Sequence, residues 1–119
     1  MSEPLDSYDK ALAFALTLPG TTQLTKFNWA VAGIAANGQS FLFPGHEKDT
    51  SFVVPIDLAT VEMLMETEPE SYWQSPHYRG HAMVLVRYDS PDPDRVRRVI
   101  EQARDQAAAK KPVRPRKKT

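Results

Sequence analysis

The chain has 119 residues, 41% apolar and 25% charged, with 15 acidic and 15 basic side chains that cancel at pH 7, which suits one globular domain with a modest core. No apolar run approaches the roughly 20 residues that a membrane-spanning helix needs, and the absence of cysteine removes disulfides, thiolate nucleophiles and cysteine-ligated metal centres. The opening Met-Ser-Glu-Pro-Leu-Asp is acidic and lacks the basic-then-apolar order of a signal peptide, so a cytoplasmic protein with no membrane partner is expected.

Residues 7–18 read as the first helix. Leu5, Tyr8, Leu12, Ala15 and Leu16 recur at helical spacing, Asp6 or Ser7 can cap the start, and Pro19-Gly20 ends it. Strand signals follow over 21–27 and 29–35, with Gly33 a bulge inside the second. Asn37-Gly38 is a two-residue hairpin signal with its return strand over 39–43. Residues 44–49 form a polar loop, and Ser51 to Pro55 is a short strand. Asp57 caps a second helix that runs to about Thr67 and turns Leu58, Val61, Leu64 and Met65 inward. Residues 68–80 are a long connection. The near-continuous apolarity of 82–88 predicts a strand central in its sheet. Asp92-Pro93 opens the last helix, which turns Val96, Val99, Ile100, Ala103 and Ala107 inward and extends to about Lys110.

The chain then changes character. Lys110, Lys111, Arg114, Arg116, Lys117 and Lys118 crowd the last ten residues, and nine basic against fifteen acidic residues precede them, so residues 1–109 carry a net −6. Pro112 and Pro115 block helix there. The division is a folded domain over 1–109 and a disordered basic tail over 110–119. The tail reads either as a solubilising end or as an electrostatic arm for a polyanion, without aromatic rings for base stacking. Several strands that precede the second helix, with helices segregated from them, make the fold class α+β. The architecture is a two-layer sandwich with a mostly antiparallel sheet and N-terminal, middle and C-terminal helices.

Four features carry a resemblance. They are Leu18-Pro19-Gly20 closing the first helix, the hairpin over 31–43, the helix after Pro55-Ile56-Asp57, and the Pro76-His77-Tyr78-Arg79-Gly80 turn leading into Val84-Leu85-Val86-Arg87. In this order they resemble the MmcQ/YjbR family of small bacterial proteins over about residues 6–107. The resemblance implies a CyaY-like (frataxin-like) fold of the double-wing type, a DNA-binding label, and no established enzymatic activity. The chain departs from the family where many members open the late strand on tryptophan, because His81-Ala82-Met83 stands there. Its acidic body also departs from what a duplex-binding surface needs.

The DNA reading rests on Arg79, Arg87, Arg97 and Arg104 with the tail residues Lys110, Lys111, Arg114, Arg116, Lys117 and Lys118. Arg97 and Arg104 share one face of the last helix, the hairpin at Asn37-Gly38 would act as a wing, and binding would be non-specific and salt-sensitive. The alternative is a protein- or small-ligand-binding module. Trp29, Tyr72, Trp73, His77, Tyr78 and Arg79 would line its pocket, or else cap the open end of the core.

Other chemistry is weakly supported. His77 and His81 have metal-ligand spacing only on a helix, and Pro76 and Gly80 make the segment a turn with no third ligand nearby. Glu3, Asp6 and Asp9 are acids expected at a helix N-terminus. Ser75 lies near His77 without a nucleophile-elbow pattern, and no glycine-rich phosphate loop exists. A non-enzymatic monomer without metal or cofactor is expected.

Overall fold

The computed structural model describes residues 3–26, 28–45, 47 and 49–112. Each helix begins where a short polar side chain can accept from an otherwise orphaned backbone N–H. Ser7 Oγ accepts from Lys10 N at 3.2 Å and opens α1 (Tyr8–Leu16). Asp57 Oδ2 accepts from Thr60 N at 3.0 Å and opens α2 (Leu58–Thr67). Asp92 Oδ1 accepts from Arg95 N at 3.1 Å and opens α3 (Pro93–Ala108), with proline in the first turn, where its missing N–H does no harm.

Among the described residues there are six strands: β1 (Thr21–Lys26), β2 (Trp29–Ile34), β3 (Ser40–Leu42), β4 (Ser51–Pro55), β5 (Tyr72–Trp73) and β6 (Met83–Arg87). All pairings are antiparallel, in the orders β1-β2-β3 and β4-β6-β5. The two sheets join at one bridge, where Phe43 and Val53 exchange backbone hydrogen bonds of 3.0 and 2.8 Å. With helices segregated from these sheets, the fold is an α+β two-layer sandwich.

β6 lies between β4 and β5, the central position that its apolarity predicts. β5 falls inside the segment read as a connection, because two residues are too few to show a strand period. The register shifts between Ala32 and Gly33, at the expected bulge. The turn that follows differs from the two-residue hairpin. Ile34 N donates to Gln39 O at 2.8 Å, so the turn spans residues 35–38. Its Asn37 side chain reaches α3 instead, donating to Ala107 O at 2.9 Å.

Alternation along the strands divides the core. Phe52 and Val54 of β4, Val84 and Val86 of β6 and Tyr72 of β5 join the main core with buried residues of all three helices. Val53, Leu85 and Tyr78 form a second cluster on the opposite face, with Phe43, Trp73 and Met83 packed against it and no helical residue among its members. The helix faces follow the sequence reading closely. Val96, Val99, Ile100, Ala103 and Ala107 are all buried, and so are Val61 and Leu64. Leu58 is the correction, since it is 38% exposed. At 3.6 residues per turn it lies with Met65 at the margin of the stripe centred on Val61 and Leu64.

Burial also sets the ionisation of the tyrosines. Tyr88 is pushed up to about 12, first by burial and then by the charges of Asp49 and Asp9. Tyr8 and Tyr72 are raised chiefly by burial as well. Tyr8 Oη donates to Ala30 O at 2.6 Å, tying α1 to β2, whereas the hydroxyls of Tyr72 and Tyr88 are buried without a hydrogen-bond partner. Among the described residues no helix is long and apolar enough to cross a membrane.

Candidate functional site

Three local structures build a groove on the helix-free face. The first is the β1–β2 turn. Lys26 pairs with Trp29 in the strand register, and Asn28 takes the left-handed conformation at φ 68°, which asparagine tolerates better than most residues. Trp29 is 45% exposed beside Lys26. The second is the chain leaving β3 through Phe43, Pro44 and Gly45. Gly45 has φ 70°, and a β-carbon there would stand 2.4 Å from Val53 Cγ2 and 3.0 Å from Tyr78 Oη. Only glycine lets this turn lie so close against the second cluster.

The third is the turn between β5 and β6. Gln74 folds it, its Nε2 donating to His81 O at 2.9 Å and Met83 O at 2.7 Å while its Oε1 accepts from Gly80 N at 3.3 Å. Tyr78 N donates to Ser75 O at 3.0 Å and the Tyr78 ring is buried on the sheet. The His77 ring meets it edge-on, with centroids 4.7 Å apart. Between these pieces lies a cavity of about 700 Å³. Its walls include the rings of Trp29, Phe43, His77 and Tyr78, the apolar side chains of Val31 and Met83, and Lys26 and Ser40.

The structure divides the sequence-derived pocket set. Trp29, His77 and Tyr78 line this groove. Tyr72 does not, because it precedes Trp73 on β5 and adjacent strand residues point to opposite faces. Trp73 packs against the second cluster, its Nε1 donating to Ser51 Oγ at 2.9 Å, with the Arg87 guanidinium 4.7 Å over its ring. Arg79 is exposed on the turn outside the lining. Lys26, Phe43 and Gly45 are groove residues that sequence reasoning missed. Two predicted strands meeting at Asn28 were the available signal for Lys26, since so short a turn brings it close to Trp29; the observed pairing of the two residues is one position off what strands over 21–27 and 29–35 imply.

The arginine set is also redistributed. Arg97 and Arg104 do share a face of α3, but that face meets α1. Arg97 donates to Asp94 Oδ1 at 3.4 Å and to the Glu3 carbonyl, with its guanidinium 5.6 Å from the Phe14 ring centroid. Arg104 donates to Pro19 O at 2.8 Å and Asp105 Oδ1 at 2.7 Å. Arg95 pairs with Glu68 at 3.0 Å. Lys110 and Lys111 are exposed just past α3, while Arg114, Arg116, Lys117 and Lys118 lie outside the described residues. The Ser75 hydroxyl is buried without a hydrogen-bond partner, so His77 does not activate it. Among the described residues no group of three potential metal ligands gathers.

The chain matches no family model and no curated protein. Among solved structures it is similar to protein DR2400 of Deinococcus radiodurans, described with a DUF419 domain, at a TM-score of 0.71. The likeness covers 92% of this chain and 84% of that one at 15% identity, and it speaks to the fold alone.

Proposed function

We propose that this chain is a non-catalytic, cytoplasmic binding module of MmcQ/YjbR type that receives a small ligand in the groove between Trp29, Phe43 and Tyr78. The kinship is supported by the structural likeness to a DUF419 domain, a family related to the YjbR/MmcQ fold. The groove itself carries the functional reading. At about 700 Å³ it falls within the roughly 300–1,000 Å³ typical of small-molecule sites, and it has their usual make-up of aromatic walls with few polar groups. Among the described residues no helical residue lines it or joins the second cluster beneath it, whereas the opposite face of the β4-β6-β5 sheet shares the main core with the helices.

The test is a fragment titration followed by two-dimensional amide and indole NMR. Aromatic fragments are expected to shift the Trp29 indole and the amides of Phe43, Tyr78 and Met83 together. Trp29→Ala should weaken binding by about fivefold or more, in line with the roughly 1–3 kcal/mol carried by a stacking ring. Shifts scattered over the surface, or centred on α3, would remove this reading.

One observation favours a second reading, in which the tail and the β2–β3 turn contact DNA. Asn37 Nδ2 donates to Lys110 O at 3.1 Å and Gln39 Nε2 to Lys111 O at 2.7 Å, so the turn holds the start of the basic tail at its side. Against it, Arg97 and Arg104 are engaged within the fold and the body is acidic. This reading requires salt-steep binding of a labelled duplex, measured by fluorescence anisotropy, that disappears when the chain ends at Ala109. Absence of binding at low salt removes it.

A further inference from the structure

The charge of the groove opposes the net −6 of residues 1–109. Fifteen acidic and nine basic residues precede Lys110, yet among the described residues no carboxylate lines the groove, and the ionisable side chains in its walls are Lys26, His77 and Tyr78. Lys26 is half-buried and stands across from Trp29, and its side chain makes no hydrogen bond or ion pair among the described residues. The groove wall therefore holds a cation that no carboxylate pairs with among the described residues, and a bound anion would supply the missing counter-charge. A cleft with low-dielectric walls focuses the field of such a cation more strongly than a convex surface does.

We infer that the ligand is a small organic acid with a flat apolar body. Its body rests on the rings of Trp29, Phe43 and Tyr78, and its carboxylate meets the Lys26 ammonium. The inference rests on the groove reading above and narrows its ligand. A carboxylate is matched by the charge-assisted hydrogen bond that lysine supplies, and no acidic side chain among the described wall residues stands there to repel it.

The experiment compares naphthalene-2-carboxylate with naphthalene-2-carboxamide, which has nearly the same shape and no charge, by NMR titration of the full chain. The carboxylate is expected to bind about tenfold tighter, the size of effect that a hydrogen bond to a charged group supplies. Lys26→Met should remove that preference, so that the two probes bind the variant alike, and Lys26→Arg should retain it. The amide spectrum of each variant confirms its fold independently. Equal affinities for the two probes, or a preference that survives in Lys26→Met, overturns the inference while the groove reading stands. If neither probe moves the Trp29 indole, the groove reading fails and the inference fails with it.

Discussion

Phe52→Ala is expected to destabilise the protein by about 3–5 kcal/mol, the range for truncating a buried phenylalanine. Phe52 is fully buried on β4, faces the main core, and packs its ring 5.8 Å from that of Tyr88. Truncation removes apolar contact from both the sheet and the helices. The strand cannot close over the gap, because its neighbour β6 pairs with it across its whole length. Small domains have only about 5–15 kcal/mol of stability in total, so a large fraction would be lost. Urea unfolding followed by circular dichroism measures the shift in midpoint. Leu58→Ala is the contrast. Leu58 was expected inward but is largely exposed, and its replacement should move stability by only about 0.5 kcal/mol. A loss below about 1 kcal/mol for Phe52→Ala would contradict the closed core described above.

Gly45→Ala should have the second large effect, about 2–4 kcal/mol, because two penalties add. A β-carbon in the left-handed region costs about 1–2 kcal/mol. The added methyl would also stand 2.4 Å from Val53 Cγ2, a buried, β-branched side chain with little rotamer freedom, and 3.0 Å from Tyr78 Oη. Gly80→Ala separates the two terms. Gly80 has φ 80° and nothing within 4 Å of where its β-carbon would lie, so only the backbone penalty applies. The Gly45 variant should therefore unfold at lower urea than the Gly80 variant, and it alone should weaken fragment binding at Trp29, because Tyr78 must move. Equal losses in the two variants would show that the 43–45 turn yields easily and does not hold the groove wall.

The same residues show why the fold was more legible than the site. Asp57 and Asp92 were readable as caps, and the first cap was narrowed to Asp6 or Ser7, because capping is settled within three residues of chain; the structure selects Ser7. The inward face of α3 was readable because five apolar positions follow one helical period. The groove depends on neighbours far apart in sequence. Phe43 and Gly45 reach Tyr78 only through the bridge between Phe43 and Val53 and the pairing of β4 with β6. Tyr72 and Trp73 were placed in one pocket because both are aromatic and adjacent, yet a strand sends such neighbours to opposite faces. With only two residues in β5, no alternation could reveal that strand.

The sequence by itself determined that Arg97 and Arg104 share a helix face, since a seven-residue spacing is nearly two helical turns. It also determined the acidic body, the basic tail, the caps and the α+β class. Only the tertiary structure decided what those arginines meet. Their acceptors outside α3 are the carbonyls of Glu3 and Pro19, on either side of α1, so the face that could have tracked a phosphate backbone locks α1 to α3 instead. It likewise decided that Lys26, Trp29, Phe43 and Tyr78 face one groove. Helical periodicity and capping are short-range, whereas a groove forms where strands distant in the chain pair and leave one face without a helix.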